Sequence, residues 1–421
     1  MDAPYRYETL PLDTPDDDPR WGDYLDIFNN GFLDGRSSDE SIATFRKARR
    51  ADRADLGMIT TEGPGLDGRQ PVAAFASAPF TMNAGAGIVD CQVINTIAVR
   101  ASHRRRGLLA AMMAEQLGSV RERGLGCAVL SASEGTIYGR FGFGVTNRLA
   151  THEIDTRRFR LAEHARVAPG AVEFVHPSFL ADHFERINLA HQERHRGAFG
   201  RQRGHQLWVT GAWDRGDNGP SKSLRAVVHF DEQQVPDGYA VFRHKGWDSK
   251  PITAEVTEVC APDPSVELAL WQMLASMDLV ERLTCELVFD HALPLALVDP
   301  WAVKTTEVGD WEWLRIVNLE QAVAERGFQA DGVLIMEISD PYEWCSGTWQ
   351  LTVTDGHGTV QRTDAAPEVS LGIAALGRMW FGDRSLVDLA GAGLAAGGDE
   401  AVRRGARLFA VDTPPVNLSH F

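Results

Sequence analysis

The sequence predicts α/β units in tandem followed by an α+β domain, and three observations predict it. In QVINTIAVRASHRRRGLLAAMMAEQL, residues 92–117, an apolar strand, a basic turn and an apolar helix follow one another directly. The same order returns more faintly in ITAEVTEVCAPDPSVELALWQMLASM, residues 252–277. After about residue 305, short alternating strands separated by turn residues replace that order. A chain of 421 residues exceeds one ordinary domain of about 150. Domains are therefore expected at 1–150, 151–305 and 306–421.

The elements follow in order. DTPDDDPR is rich in proline and aspartate and reads as solvated chain, after which Trp21, Tyr24, Leu25 and Phe28 recur at helical spacing. SDESIATFRKAR reads as a second helix with Ser38 or Asp39 as its cap. PVAAFASAPFTM and VDCQVINTIAV read as strands, and the continuous apolar run of the latter makes it central. LLAAMMAEQLGSVRERG places Leu108, Met112, Leu117 and Val120 near one helix face, with Gly124 as terminator. CAVLSAS is another buried strand. In the fainter copy, GYAVFRHKGW precedes the repeat and ELVFD, from Glu286, follows it. WEWLRI, DGVLIMEISD and GTWQLTVTD read as strands of the last domain. Its helical stretch runs from LGIAALGRMWFG to GARLFA, and VDTPPVNLSHF ends the sequence.

Composition narrows the function. Asp and Glu number 58 against 42 Lys and Arg, a net charge of −16, so nucleic acid is an unsuitable general partner and a cationic substrate suits the field better. Five scattered cysteines without a CxxC pair indicate neither a disulfide framework nor a zinc ribbon. With no signal-peptide pattern and no run of 18 apolar residues, the expectation is a soluble cytoplasmic protein without membrane contact.

Against that acidic background, Arg104, Arg105 and Arg106 stand together before Gly107 and a helix. Like charges repel, so the cluster calls for a counter-ion. A helix N-terminus offers unpaired N–H groups and partial positive charge, glycine lets backbone approach closely, and guanidinium groups add paired donors. A polyanionic cofactor fits. The turn lacks the GK[ST] of a Walker loop and the G-x-G-x-x-G of a dinucleotide fold. The second copy has PDPSVEL there, with Asp263 and Glu267, and cannot hold an anion in that way.

VINTIAVRASHRRRGLLAAMMAEQL followed by SASEGTIYGRFGFG resembles the Eis (enhanced intracellular survival) family of actinobacterial N-acetyltransferases, within the GNAT superfamily. Leu109 stands where GNATs at large carry a small residue, a departure that Eis-like sequences share. The resemblance implies two tandem GNAT-like domains, the second degenerate, and a C-terminal sterol-carrier-protein-like domain. It implies acetyl-coenzyme A as co-substrate and no metal. Ile97, Ala98 and Val99 would line the pantetheine and thioester through backbone groups. Arg105, Arg106, Gly107, Leu108, Leu109 and Ala110 would hold the pyrophosphate, and Ser133 and Glu134 would border the cofactor. It further implies a homohexamer, and aminoglycosides among the small polycationic amines acetylated.

Acyl transfer to an amine needs a neutral nucleophile, stabilisation of developing oxyanion charge and a proton for the departing thiolate. Tyr138, protonated at neutral pH, is the candidate acid; on spacing alone it reads sooner as a core residue beside Phe141 and Phe143, and the resemblance reverses that order. By resemblance the Phe421 carboxylate acts as base. Asp26 and Asp34, with Phe45 nearby in sequence, are candidates for binding a cationic amine, with a solvated acidic face as the alternative. His191 and His195 of HQERH lack the glutamate of a zincin and read as surface or core histidines. A protein-lysine acetyltransferase and a non-enzymatic lipid-binding or scaffold protein remain as other readings.

Overall fold

The protein, seen in a computed structural model, is described over residues 5–63, 68, 70–214, 216–217 and 219–419. Its first sheet begins with β1 (Arg6–Thr9), β2 (Asp55–Thr61), β3 (Gln70–Asn83) and β4 (Ile88–Val99), each antiparallel to the one before. β5 (Cys127–Ser131) runs parallel to β4, and β6 (Gly144–Val145) lies at the far edge. A continuous apolar strand demands cover on both faces, and it gets it. α1 (Arg20–Gly31) packs Trp21, Tyr24 and Ile27 on one face with Leu56, Ala74 and Ala76. On the other face, α3 (Leu108–Glu122) buries Met113, Leu117 and Val120 against Ile94 and Leu130. Between α1 and β2 lies α2 (Asp39–Ala51), whose Ser38 Oγ accepts the Ser41 N–H at 3.2 Å, so Ser38 is the cap.

The second sheet takes β7 (Arg148–Asp155), β8 (Ala171–Val175), β9 (Leu224–Phe230), β10 (Pro236–His244), β11 (Thr253–Cys260), β12 (Arg282–Val288) and β13 (Val303–Asp310). Their spatial order is β13-β7-β12-β11-β10-β9-β8, and β11–β12 is the parallel pair, as β4–β5 is in the first sheet. The helices of this half are α4 (Phe184–Arg194), α5 (Arg203–Val209) and α6 (Pro264–Ala275).

WEWLRI departs from the expected grouping with the last domain. It forms β14 (Glu312–Ile316), which returns to the first sheet between β5 and β6, antiparallel to both. The expected break after residue 305 falls inside β13. Alternating hydrophobicity identifies a strand but not its neighbours, because any edge with free N–H and C=O groups can accept it. The third sheet, in the order β17-β16-β15-β18-β19, holds β15 (Gly332–Ser339), β16 (Gly347–Thr354), β17 (His357–Arg362), β18 (Val369–Gly372) and β19 (Ala395–Gly397). Its core continues into the first sheet, since Leu334, Trp349 and Trp380 share a cluster with Cys127, Val129 and Leu314.

All five cysteines are buried thiols. His191 is a core group whose Nδ1 donates to the Ala261 carbonyl at 2.9 Å, and burial lowers its pKa to about 3. No group of three metal-ligating side chains occurs, and no helix is long and apolar enough to cross a membrane, among the described residues.

Candidate active site

The site begins where the first sheet opens. β4 and β5 pair only at Gln92–Ala128 and Val93–Val129, although β4 runs on to Val99. Against β3, the segment Asn95–Ala98 lies opposite Ala76–Ala74, so β4 carries one extra residue, and Thr96 there has φ 53°. Such a bulge bends the strand and adds twist. Beyond it, β4 keeps β3 on one edge and, among the described residues, has no strand on the other. A cavity of 610 Å³ occupies this opening, with Ile97, Ala98 and Val99 on one side and Ser133 and Glu134 on the other.

The N-terminus of α3 closes one end of the cavity. Gly107 takes φ 76° and ψ 2°, the left-handed region, and no side chain of the described residues caps the helix. Leu108, Leu109 and Ala110, whose N–H groups open the helix, all line the cavity, as do Arg104 and Arg105. The three arginines do not act alike. Arg106 turns away, donating to Tyr5 Oη at 2.8 Å and to the Ser102 carbonyl at 3.2 Å. An uncapped helix start flanked by two guanidinium groups suits a diphosphate.

At the other end stands Tyr138, 5% exposed, its ring edge-on to Phe143. Burial, assisted by the Glu134 charge, pushes its pKa up to about 12. The hydroxyl therefore keeps its proton at neutral pH and is available as a donor. Tyr138 also lines a second cavity of 560 Å³, which shares Phe32, Ile97 and Ser133 with the first.

That second cavity draws Phe28 and Asn29 from α1, Phe45 and Arg49 from α2, and Trp213, Gln202 and Trp311 from later in the chain. Of the expected substrate-binding residues, Phe45 lies in its wall. Asp26 is half-buried on α1 and lines neither cavity, and Asp34 is exposed in the loop after α1. Phe421 lies outside the described residues. The tail leading to it is anchored, since Asn417 Nδ2 donates to buried Glu312 and Ser419 Oγ to the Gly200 carbonyl at 3.3 Å. Arg49 had a readable signal, four residues after Phe45 on one helix face. Trp213, Trp311 and Gln202 had none, because their approach is long-range.

Comparison with known proteins agrees with this architecture. Residues 17–146 match a family model described as an acetyltransferase (GNAT) domain, residues 197–316 another of the same description, and residues 319–417 a sterol carrier protein domain. The chain is 33% identical to the N-acetyltransferase Eis of Mycobacterium tuberculosis over 76% of its own length and 78% of that protein's. It is 30% identical to an uncharacterized N-acetyltransferase of Streptomyces avermitilis, over 88% and 89%. The crystal structure of Eis1 from Mycobacterium abscessus superposes with a TM-score of 0.80 at 25% identity, covering 99% of this chain and 100% of that one. With two GNAT domains, a sterol-carrier-like domain and an opening in the first sheet that ends at a buried tyrosine, this chain belongs to the Eis family of N-acetyltransferases.

Proposed function

We propose that the enzyme transfers the acetyl group of acetyl-coenzyme A to the amino group of a small molecule held in the second cavity. The observation that carries this reading is the meeting of two cavities at Tyr138, one ending in a cationic turn and the other walled by aromatic side chains. Acetyl-coenzyme A would supply a thioester carbonyl at that junction. Arg104, Arg105 and the first N–H groups of α3 hold the diphosphate, while the free edge of β4 from Ile97 to Val99 offers backbone groups to the pantetheine. Transfer forms a C–N bond to the acceptor and breaks the thioester C–S bond. Tyr138 donates a hydrogen bond, and then a proton, to the departing sulfur. Neither a carboxylate nor a histidine of the described residues lines the acceptor cavity to take the nitrogen's proton, which supports the role that the resemblance gives to the Phe421 carboxylate.

A thiol-release assay with acetyl-coenzyme A and a panel of amines tests the reading. Coenzyme A release with small amines is the expected result. Release only with lysine-bearing proteins would favour a protein modifier, and none at all a scaffold. Aminoglycosides, the class implied by the resemblance, form one arm of the panel.

A further inference from the structure

Asp52 stands where its own helix does not favour it. It is the residue after α2, its N–H donating to the Ala48 carbonyl at 2.9 Å, and a helix C-terminus carries partial negative charge that disfavours a carboxylate. Arg49 and Arg50, in the last turn, are the residues which that end suits. Burial raises the Asp52 pKa as well, so the carboxyl gives up hydration to be there. A local rule broken on both counts calls for a partner elsewhere.

The partner lies in the second GNAT-like half. Asp52 Oδ1 accepts the N–H of Arg203, the first residue of α5, at 2.8 Å. Helix α5 has 7 residues, too few to be stable alone, and the side chain of Gln202, its N-cap residue, accepts none of its first N–H groups. The first half thus caps a helix of the second. Both ends of that helix carry the wall of the acceptor cavity. Gln202 precedes it, and Trp213 hangs from its last turn, donating its N–H to the Leu207 carbonyl at 3.1 Å. On the other side of Asp52, α2 contributes Phe45 and Arg49 to the same wall. The Asp52 carboxylate therefore joins two helices that bring their residues to the acceptor cavity.

We propose that Asp52 is a positioning residue for acceptor selectivity: by capping α5 across the boundary between the halves, it fixes Gln202 and Trp213 relative to Phe45 and Arg49 and so sets the size of amine that the cavity accepts. The inference rests on the acetyl-transfer reading of the same cavity. Asp52 itself lines neither cavity. Its effect travels through α5 in two hydrogen bonds, one into the first turn and one out of the last. The second half, whose own turn carries Asp263 and Glu267 in place of arginines, thereby serves the first as a gauge.

The test is thiol release by the full chain over benzylamine, tryptamine and kanamycin, amines of rising size, with acetyl-coenzyme A varied separately. Asp52→Ala should raise the acceptor KM by about fivefold, the scale of a lost helix cap, and most for the smallest amine turned over. The KM for acetyl-coenzyme A should change by less than about twofold. Asp52→Asn keeps an acceptor oxygen and should restore most of the loss, which a misfolded variant would not. Trp213→Ala should raise the acceptor KM in the same way, and adding Asp52→Ala to it should do no further harm, since one acts through the other. Hydrogen exchange over residues 202–213, read by mass spectrometry, should quicken in Asp52→Ala, a readout independent of turnover. An acceptor KM unmoved by Asp52→Ala overturns the proposal, as does one that rises only in step with the KM for acetyl-coenzyme A, an additive double variant, or unchanged hydrogen exchange. No coenzyme A release with any amine overturns the transferase reading instead, and the acceptor role of Asp52 with it.

Discussion

The first and second halves repeat one plan and use it in opposite ways. In each, a bulged strand, β4 or β11, leads through a turn into a helix, and a parallel strand follows. At the start of α3 no side chain of the described residues caps the helix, and two arginines face the opening. At the start of α6 the Asp263 carboxylate accepts the Ser265 N–H at 2.8 Å, and Pro264 removes a further donor. Glu267, one turn in, accepts from Trp271 Nε1 at 2.8 Å and pairs with His291 at 3.1 Å. The opening beside β11 is filled too, because Glu258 is buried there among Arg201, His205 and Tyr239. The second half answers its helix N-terminus with its own carboxylates, so no place is left for an anion from outside. The lesson is that the shared fold supplies the anion site, and the capping residue decides whether it stays open.

The largest effect is expected where the halves differ most in chemistry, after the parallel strand. There the first half presents Tyr138 to the cavity, and the second turns His291 back on its own helix. Tyr138→Phe should lower kcat by about 10²-fold or more with little change in the KM for acetyl-coenzyme A, since a general acid acts on the chemical step. Steady-state kinetics with both substrates check it, and an unchanged kcat would remove Tyr138 from the mechanism.

Next comes the turn itself. Gly107→Asp copies the second half's cap into the first and should raise the KM for acetyl-coenzyme A by about tenfold or more, through self-capping and repulsion of phosphate. The mirror change, Asp263→Ala, should leave that KM alone and cost about 1 kcal/mol of stability in chemical denaturation.

The Glu267–His291 pair predicts a pH signature confined to the second half. Burial alone would make both groups neutral, yet each charge holds the other: Glu267 falls to about 2 and His291 rises above 6.5. Glu267 has its unfolded pKa near 4.5, so its contribution is complete above that pH and is lost as pH falls toward about 2. His291 contributes fully below 6.5 and loses its share as pH rises through its raised folded value. The Tm difference between wild type and His291→Gln should therefore be widest between pH 4.5 and 6.5 and narrow on either side. A difference independent of pH would dissolve the pair.

The smallest effect separates the three arginines. Arg106 donates to Tyr5 rather than facing the cavity, so Arg106→Ala should change the KM for acetyl-coenzyme A by no more than about threefold. Arg105→Ala should change it by more.

By itself, the sequence determined the strand–turn–helix–strand core of each half and the cationic turn, because hydrophobic period, capping chemistry and the pairing of RRRGLL with SEGTIYGRFGFG are local properties; strands such as β1, β2 and β7 to β9 and the helices α4 and α5 were not legible in it. Ser38 as cap, Gly107 at the helix start and the apolar face of α3 are legible for the same reason. Only the tertiary structure decided that β14 returns to the first sheet, that Arg106 faces Tyr5, and that neither Asp26 nor Asp34 lines the second cavity. It also brought Trp213, Gln202 and Trp311 to a wall begun by α1 and α2. Those outcomes depend on which surfaces meet across hundreds of residues, where the gain comes from burying shared area and satisfying buried polar groups, and no local pattern encodes the partner.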